Sequence, residues 1–428
     1  MVIPPPTEDL TKRAEAGDAR AQYALAAKLS RDGRAAEADH WLKSAAKSGE
    51  PDALYTLATR ELQSKGGVPE AVRLLEAAAG SAAAARLLAV LYAEGLGVER
   101  DFLRARGIVF EAARRGDPAA MREIAGLLFL RDVLDADAAA LIAAAAQRDP
   151  VAGAVYVRRA VENRPTDEGF VRLILQRLKS MKYPRTDELA RGLERRNPDS
   201  SRTSATAQED FQTERFWGRI EEKVDKPLDG RPNLETLSAS PYVQVARAAV
   251  PSEMLDYVIA IAAQRLQPSM TFDPTTGAAR VDPHRKSATA TLGPVDQDLA
   301  IVELNLRLAQ IAGVDSLQGE FLSVLRYVPG DEYKPHFDWI PPTSDDFGRG
   351  GQRVRTALLY LNDDYEGGET QFLSGGLTFK GAPGDVLVFS NVLPDGAADQ
   401  SSRHAGLPVK SGVKWLGSKW FRERAYDF

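Results

Sequence analysis

The chain has 428 residues and no cysteine, which excludes disulfide staples, thiol nucleophiles and cysteine-ligated metals. Histidine is scarce: His40, His284, His336 and His404 can be weighed one at a time. There is no basic excess, since 55 Lys and Arg face 60 Asp and Glu for a net charge of -5. Without a broad basic face to hold a phosphate backbone, no nucleic-acid partner is expected. The longest purely apolar run, Ala138 to Ala146, has nine residues, about half of what a spanning helix needs. The N-terminus carries acids early and has no apolar h-region. Neither a signal peptide nor a membrane partner is therefore expected, and the expected location is cytoplasmic. With 44% hydrophobic and 27% charged residues, the composition is that of a folded chain. Its length suggests two or three domains.

Residues 13–182 are alanine-rich with helical periodicity, and two registers repeat through them. One aligns Ala21-x-Tyr23-x-Leu25-Ala26, Ala53-x-Tyr55-x-Leu57-Ala58, Ala84-x-x-x-Leu88-Ala89-x-x-Tyr92 and Ala120-x-x-x-Ile124-Ala125. The other aligns Ala38, Trp41 and Ala45 with Ala71, Leu74 and Ala78, with Ala105, Ile108 and Ala112, and with Ala138, Leu141 and Ala145. The spacing of 31 to 36 residues is that of paired-helix repeats, whose apolar stripes are buried only by stacking. A generic alanine-rich bundle is the plainer alternative, and the double register argues against it. The unit Leu91-Tyr92-Ala93-Glu94-Gly95-Leu96-Gly97-Val98, followed by Asp101 and Ala105-Arg106, resembles the Sel1-like subclass of tetratricopeptide (TPR) repeats. His40 sits on the polar side of its helix, where a solvated or capping role is expected.

Residues 183–240 read as a linker, with Asn197-Pro198-Asp199-Ser200-Ser201, Pro227 and Pro232, and one helix around Phe211 to Val224. Beyond Tyr242 the period changes. Residues 252–266 and 295–312 keep helical spacing, but Phe321–Val328, Val354–Leu361, Asp385–Ser390 and Val413–Phe421 are short β-rich runs between Gly and Pro clusters. Many short strands with frequent turns predict a sandwich or barrel.

His336 and Asp338 stand two apart after a strand-like run, so in extended chain both reach one point. Acids fill about one position in seven, so that pair alone is a common coincidence. A second histidine, His404, follows 68 residues on. Two imidazoles and one carboxylate with open positions suit non-haem Fe(II) and O2 activation. A tetrahedral zinc hydrolase site could use the same three groups, but it offers no use for Lys414. That lysine lies ten residues after His404 in an apolar strand. Turned inward, Lys414 needs an anionic partner such as a dicarboxylate co-substrate; the alternative is a solvated lysine on an edge strand.

Further blocks extend the pattern: Phe321-Leu322-Ser323-Val324-Leu325-Arg326-Tyr327, Tyr333-x-Pro335-His336-Phe337-Asp338, Arg355-Thr356-Ala357-Leu358-Leu359-Tyr360-Leu361-Asn362-Asp363, Gly367-Gly368-Glu369-Thr370-x-Phe372, Pro383-Gly384-Asp385-x-Leu387-x-Phe389 and His404-Ala405-Gly406-x-Pro408-Val409-x-x-Gly412-x-Lys414. In this order and spacing, the stretch from about Ser240 to Phe428 resembles the Fe(II)/2-oxoglutarate dioxygenases of the prolyl 4-hydroxylase family.

The resemblance implies a double-stranded β-helix (jelly roll) holding iron through His336, Asp338 and His404. Lys414 would bind the distal carboxylate of 2-oxoglutarate, with Tyr327 and Thr356 lining that pocket and Trp420 nearby. Halogenating relatives lack the carboxylate, so Asp338 argues for hydroxylation. Two regions depart from the family. His284-Arg285-Lys286-Ser287 stands where an Arg-Thr-Ser stretch is usual, and the segment between Asp338 and Arg355 is short. Both face substrate in the family, and His284 is either a substrate contact or a loop residue without a role.

The expected fold is thus a multidomain α + β chain. It comprises an N-terminal tail (1–12), an α-helical repeat solenoid (13–182), a linker (183–240) and a dioxygenase domain with flanking helices (241–428, core about 318–424). The expected activity is a peptidyl-proline 4-dioxygenase using Fe(II), 2-oxoglutarate and O2, with ascorbate as supporting reductant. Its partner would be a protein or proline-containing peptide held by the repeats, where Tyr23, Tyr55 and Tyr92 either stack on proline rings or fill the core. Two alternatives remain: the same oxygenase chemistry on another protein residue or a small molecule, and a repeat-based interaction scaffold whose oxygenase half is inactive.

Overall fold

Alanine decides the N-terminal architecture, because a methyl is what fits where two helix axes approach closely. The computed structural model describes residues 7–78, 80–132, 135–196, 211, 213–228, 233–272, 279–281 and 285–427. Its chain divides into two compact units, Met1–Ala120 and Met121–Phe428.

In the first unit, helices Ala19–Arg31 and Ala35–Lys47, Pro51–Glu61 and Val68–Ala77, and Ala82–Glu94 and Phe102–Arg114 pack as successive pairs. The register alanines Ala21, Ala38, Ala53, Ala71, Ala84 and Ala105 are all buried in them. Asp18, Ser81 and Asp101 cap three of these helices, each side chain accepting the N–H of the residue three further on. Gly97 has φ 71°, and a Cβ there would lie 2.6 Å from Val68 Cγ1, so only glycine closes that turn. Tyr92 is 5% exposed; its hydroxyl donates to Glu76, and the Arg104 guanidinium lies 4.0 Å above its ring centre. Tyr23 packs on the cluster of Ala26, Leu42, Ala45 and Ala53. Core filling is therefore the role of both rings. The helix Thr7–Glu15 starts inside the stretch expected to be a tail.

The division between units differs from the one expected at 183–240, and charge is the reason. Helix Pro150–Val161 packs on the flanking helix Ser252–Ala263 of the β domain, with Ala136–Ala145, Glu168–Ser180 and Thr186–Arg195 packed on Pro150–Val161 in turn, and Pro118–Phe129 meets Ser252–Ala263 and Leu299–Ala312 at Gly126. Arg122 is buried; it reaches Asp149 (3.1 Å), Asp298 (2.5 Å) and the Tyr257 hydroxyl (2.6 Å). Arg131 grips Glu303 with two hydrogen bonds of 2.9 and 2.7 Å, and Arg158 pairs with Asp256 at 3.1 Å. At Gly126 a Cβ would come within 2.6 Å of Ala300 Cβ, so the absent side chain lets these helices touch. Inside the expected linker, Thr186–Arg195 and Glu214–Asp225 are helices and Leu234–Ala239 is a strand. Residues 197–201 and Pro232 lie outside the described residues.

The β domain is built on two facing antiparallel sheets, with two further two-stranded ribbons, Tyr365–Gly367 with Val409–Gly412 and Met270–Phe272 with Ala279–Val281. The larger runs, in spatial order, Leu234–Ala239, Tyr242–Ala246, Val386–Ser390, Arg353–Tyr360, Lys414–Arg422, Leu322–Tyr327, Ala288–Leu292 and Gln267–Pro268. The smaller runs Thr378–Phe379, Thr370–Phe372, His404–Gly406 and Tyr333–His336. Alternate residues of both sheets, among them Leu325, Tyr327, Leu358, Tyr360, Phe372, Phe389 and Leu416, meet in one apolar core. All four β-rich runs expected from sequence are strands, with ends shifted by about a residue.

Candidate metal centre

The smaller sheet brings the two distant histidines together. His336 ends one strand and His404 begins its neighbour, and the two are direct partners in the antiparallel register. Cross-strand partners share a face, so both imidazoles project to the same side. Asp338, two residues on, completes the group, and the candidate ligand atoms lie within 4.8 Å of one another. His336 Nε2 is 3.6 Å from Asp338 Oδ1, and His404 Nε2 is 3.8 Å from Oδ2.

Hydrogen bonds settle which nitrogen is free. His336 Nδ1 lies 2.8 Å from the Lys334 carbonyl and His404 Nδ1 lies 3.0 Å from the Ser402 carbonyl. A carbonyl only accepts, so each Nδ1 carries the proton and each Nε2 turns a lone pair toward Asp338. Burial and the neighbouring His336 push His404 down to about 4, which keeps it neutral. Burial alone would raise the Asp338 carboxyl, but His404 and His336 hold it well below the usual range. Two imidazoles and one carboxylate, with no fourth His, Cys, Asp or Glu among the described residues, fit an octahedral divalent metal such as Fe(II). A closed tetrahedral zinc site would need that fourth ligand.

Aromatic rings set the site's walls. Tyr333 stacks on His336 with ring centres 3.4 Å apart at 17°, and the Arg285 guanidinium sits 5.2 Å above Tyr333. Phe389 and Phe372 flank His404 at 4.8 and 5.6 Å. A cavity runs inward between the sheets, with Leu325, Leu358 and Leu416 among its walls and Lys414 lining it as well. Lys414 is 3% exposed; its Nζ donates to the Gly368 carbonyl at 2.7 Å and lies 5.5 and 5.7 Å from the ring centres of Tyr327 and Tyr360. That places it in the interior, between the sheets, where the solvated-edge alternative does not hold.

Tyr327 and Trp420 line this cavity, and Thr356 does not. Thr356 is wholly buried; its hydroxyl donates to Asp338 Oδ2 at 2.7 Å and accepts from Asn391 Nδ2 at 2.9 Å. It therefore orients the carboxylate instead of facing a co-substrate. Thr370 lines the cavity, sharing a 2.9 Å hydrogen bond with the Tyr360 hydroxyl. Thr370 and Asn391 escaped the sequence reading. Thr370 stands in the Gly367-Gly368-Glu369-Thr370 block, which was its only signal; in the sheet it pairs with Gly406, two positions along from the Phe372–His404 pair. Asn391 carries none. His284 lies outside the described residues.

Residues 322–422 match the 2OG-Fe(II) oxygenase superfamily, which uses Fe(II) and 2-oxoglutarate. The chain is therefore a 2-oxoglutarate-dependent oxygenase joined to helical repeats. Over 205 residues it is 38% identical to prolyl 4-hydroxylase 1 of Arabidopsis thaliana, covering 45% of this chain and 72% of that one. It belongs to the prolyl 4-hydroxylase family. Among solved structures it is similar to the viral collagen prolyl hydroxylase of Paramecium Bursaria Chlorella virus-1 (25% identity, 42% of this chain and 95% of that one, TM-score 0.34). It is also similar to a Sel1 repeat protein from Oxalobacter formigenes (31% identity, 26% of this chain and 92% of that one, TM-score 0.25). Among the described residues no helix is long and apolar enough to cross a membrane.

Proposed function

We propose that the chain is a peptidyl-proline 4-hydroxylase in which His336, Asp338 and His404 hold Fe(II) and Lys414 holds the distal carboxylate of 2-oxoglutarate. One observation carries the reading: a metal-ready His/Asp/His face and a buried lysine line the same apolar cavity. When bound, iron, 2-oxoglutarate and O2 supply the oxidation that turns a substrate C–H into C–OH, with succinate and CO2 as co-products.

The chain's own residues do the positioning. Thr356 and the carbonyls of Lys334 and Ser402 fix the three ligands, so little reorganisation accompanies metal binding. The Gly368 carbonyl holds the Lys414 ammonium in place, and the leucine walls exclude the water that would screen it. Outside, a groove of about 1140 Å3 shares Arg285, Tyr333, Asp338 and Trp420 with the inner cavity. Phe321, Phe337 and Tyr426 add aromatic surface to it. A wide aromatic groove beside the metal face suits an extended peptide better than a small molecule. The relatives' names, prolyl 4-hydroxylase and collagen prolyl hydroxylase, point to proline as the residue. The repeats then recruit the substrate protein or a partner, by surfaces other than the packed rings of Tyr23 and Tyr92. Ascorbate would serve as the supporting reductant.

The test is succinate formation from 2-oxoglutarate with Fe(II), O2 and ascorbate, with and without proline-rich peptides. Peptide-stimulated succinate with a 16 Da gain on proline is the expected result. Succinate that no proline peptide stimulates would move the substrate to another residue or a small molecule. No succinate despite bound iron would favour the scaffold alternative.

A further inference from the structure

A cavity of about 600 Å3 lies behind the catalytic sheet, on the face away from the metal centre. It is lined by the turn between helices Glu168–Ser180 and Thr186–Arg195, the end of helix Ser252–Ala263, and strand residues Arg326 and Trp415. Strand alternation sets the sides: Leu325, Tyr327 and Leu416 belong to the inter-sheet core, so Arg326 and Trp415 face outward. Arg326 and Trp415 are register partners, as are their inward-facing neighbours Tyr327 and Lys414.

The lining is cationic in an acidic chain. Lys179, Lys182, Arg185, Arg191 and Arg326 face Asp187 and Glu188. Arg185 and Glu188 satisfy each other through two hydrogen bonds of 3.0 and 2.5 Å. Four cations then stand against one carboxylate, and among the described residues none of the four forms a salt bridge. Helix Thr186–Arg195 begins at this cavity with no side-chain cap, so its first N–H groups add donors to the cationic lining. Trp415 is 1% exposed, and the Arg185 guanidinium lies 5.4 Å from its ring centre. Tyr183, Pro184, Leu266 and Val413 give the same cavity an apolar wall.

We propose that this cavity, formed where the Glu168–Ser180 and Thr186–Arg195 helices meet the outer face of the sheet at Arg326 and Trp415, binds a small organic polyanion carrying two or more phosphate or carboxylate charges. Charge excess selects the anion, the volume takes more than a single carboxylate, and the apolar wall accommodates a carbon skeleton. The sheet separates the site from the inner cavity, so its occupant is not 2-oxoglutarate in its catalytic position.

The experiment is calorimetric titration of the metal-free full-length chain at low salt with pyrophosphate, citrate and acetate. Pyrophosphate or citrate is expected to bind one per chain, at least tenfold tighter than acetate and more weakly as salt rises; whichever is tighter identifies phosphate or carboxylate as the preferred group. The Lys182→Gln/Arg326→Gln variant should weaken the tighter ligand at least tenfold. Lys179→Gln/Arg191→Gln, which changes only exposed side chains, should weaken it at least threefold, and Lys414→Ala should leave it unchanged. The proposal is overturned if neither polyanion saturates. It is equally overturned if Lys414→Ala removes binding that both outer-face variants retain, since the anion would then sit in the inner cavity.

Discussion

The hydroxyl of Thr356 donates to Asp338 Oδ2 at 2.7 Å while accepting from the Asn391 amide at 2.9 Å, which locks the carboxylate in one orientation. Thr356→Val keeps the shape and removes the donor. Metal affinity should fall about 10- to 100-fold, in the range seen when a ligand's orienting partner is lost. Co(II) or Fe(II) titration followed by absorbance checks this, and Thr356→Ser should restore most of the affinity. Unchanged affinity in the valine variant would show that Asn391 and packing alone hold Asp338.

His336 is a half-buried residue at the end of a short strand, so His336→Ala should remove one group of the proposed metal site without opening the core. Peptide-dependent succinate should vanish while the circular dichroism spectrum and melting curve stay close to wild type. Wild-type turnover at matched iron would refute the metal assignment.

On the proposed role, Lys414 should carry the pH dependence of co-substrate binding. Burial pushes its ammonium down to about 8, with Lys380 adding to the shift and Glu369 opposing it. The cation that holds a carboxylate is thus present below about pH 8 and is lost above it, the reverse of a carboxylate's behaviour. The KM for 2-oxoglutarate should be flat from pH 6.5 to 7.5 and climb above 8, and bound co-substrate should itself move the midpoint upward. Lys414→Ala should raise KM by about 30-fold or more, because a buried anion would lose its partner. A KM in wild type that ignores pH up to 9.5 would remove Lys414 from this role.

Arg122 stands between Asp149 and Asp298, with Tyr257 beside them, all buried. Replacing it by leucine leaves two carboxylates without a counter-charge. The expected loss is about 3–5 kcal/mol of stability, read from urea unfolding of the full chain. A loss below about 1 kcal/mol would mean that water already serves those carboxylates.

Truncation separates the two units. Removing residues 1–117 keeps helix Pro118–Phe129 whole and should leave a folded oxygenase that turns over short peptides, with weakened affinity for long ones. Removing residues 1–182, the cut that composition suggests, also takes away Arg122, Arg131, Arg158 and their pairings. That product should aggregate or melt far below the first, as thermal scanning of both would show. Equal melting temperatures would contradict the division near residue 120.

Much of the catalytic half was legible because short-range rules govern it. Alternation in extended chain put His336 and Asp338 on one side, and a lysine inside an apolar strand demanded an anion. The place given to Thr356 in the cavity wall rested on the family resemblance alone. It shares a face with Leu358 and Tyr360, both in the inter-sheet core. What the strand period could not show is that Asp338 fronts the cavity at that point. The domain boundary was missed for another reason: Arg122, Arg131 and Arg158 look like the solvated side of repeat helices. Their partners in the β domain, Asp298, Glu303 and Asp256, lie 98 to 176 residues further along the chain, beyond any periodicity.

The seam near Met121 sets what can change in this protein's lineage without cost to catalysis. Ahead of it, a unit of 31 to 36 residues can be duplicated or lost and the remaining pairs still stack. Behind it, helices that look like further copies are welded to the enzyme by buried charge and are no longer interchangeable. Chains of this design should therefore vary in repeat number only at the front, in whole steps, while the reaction itself stays fixed.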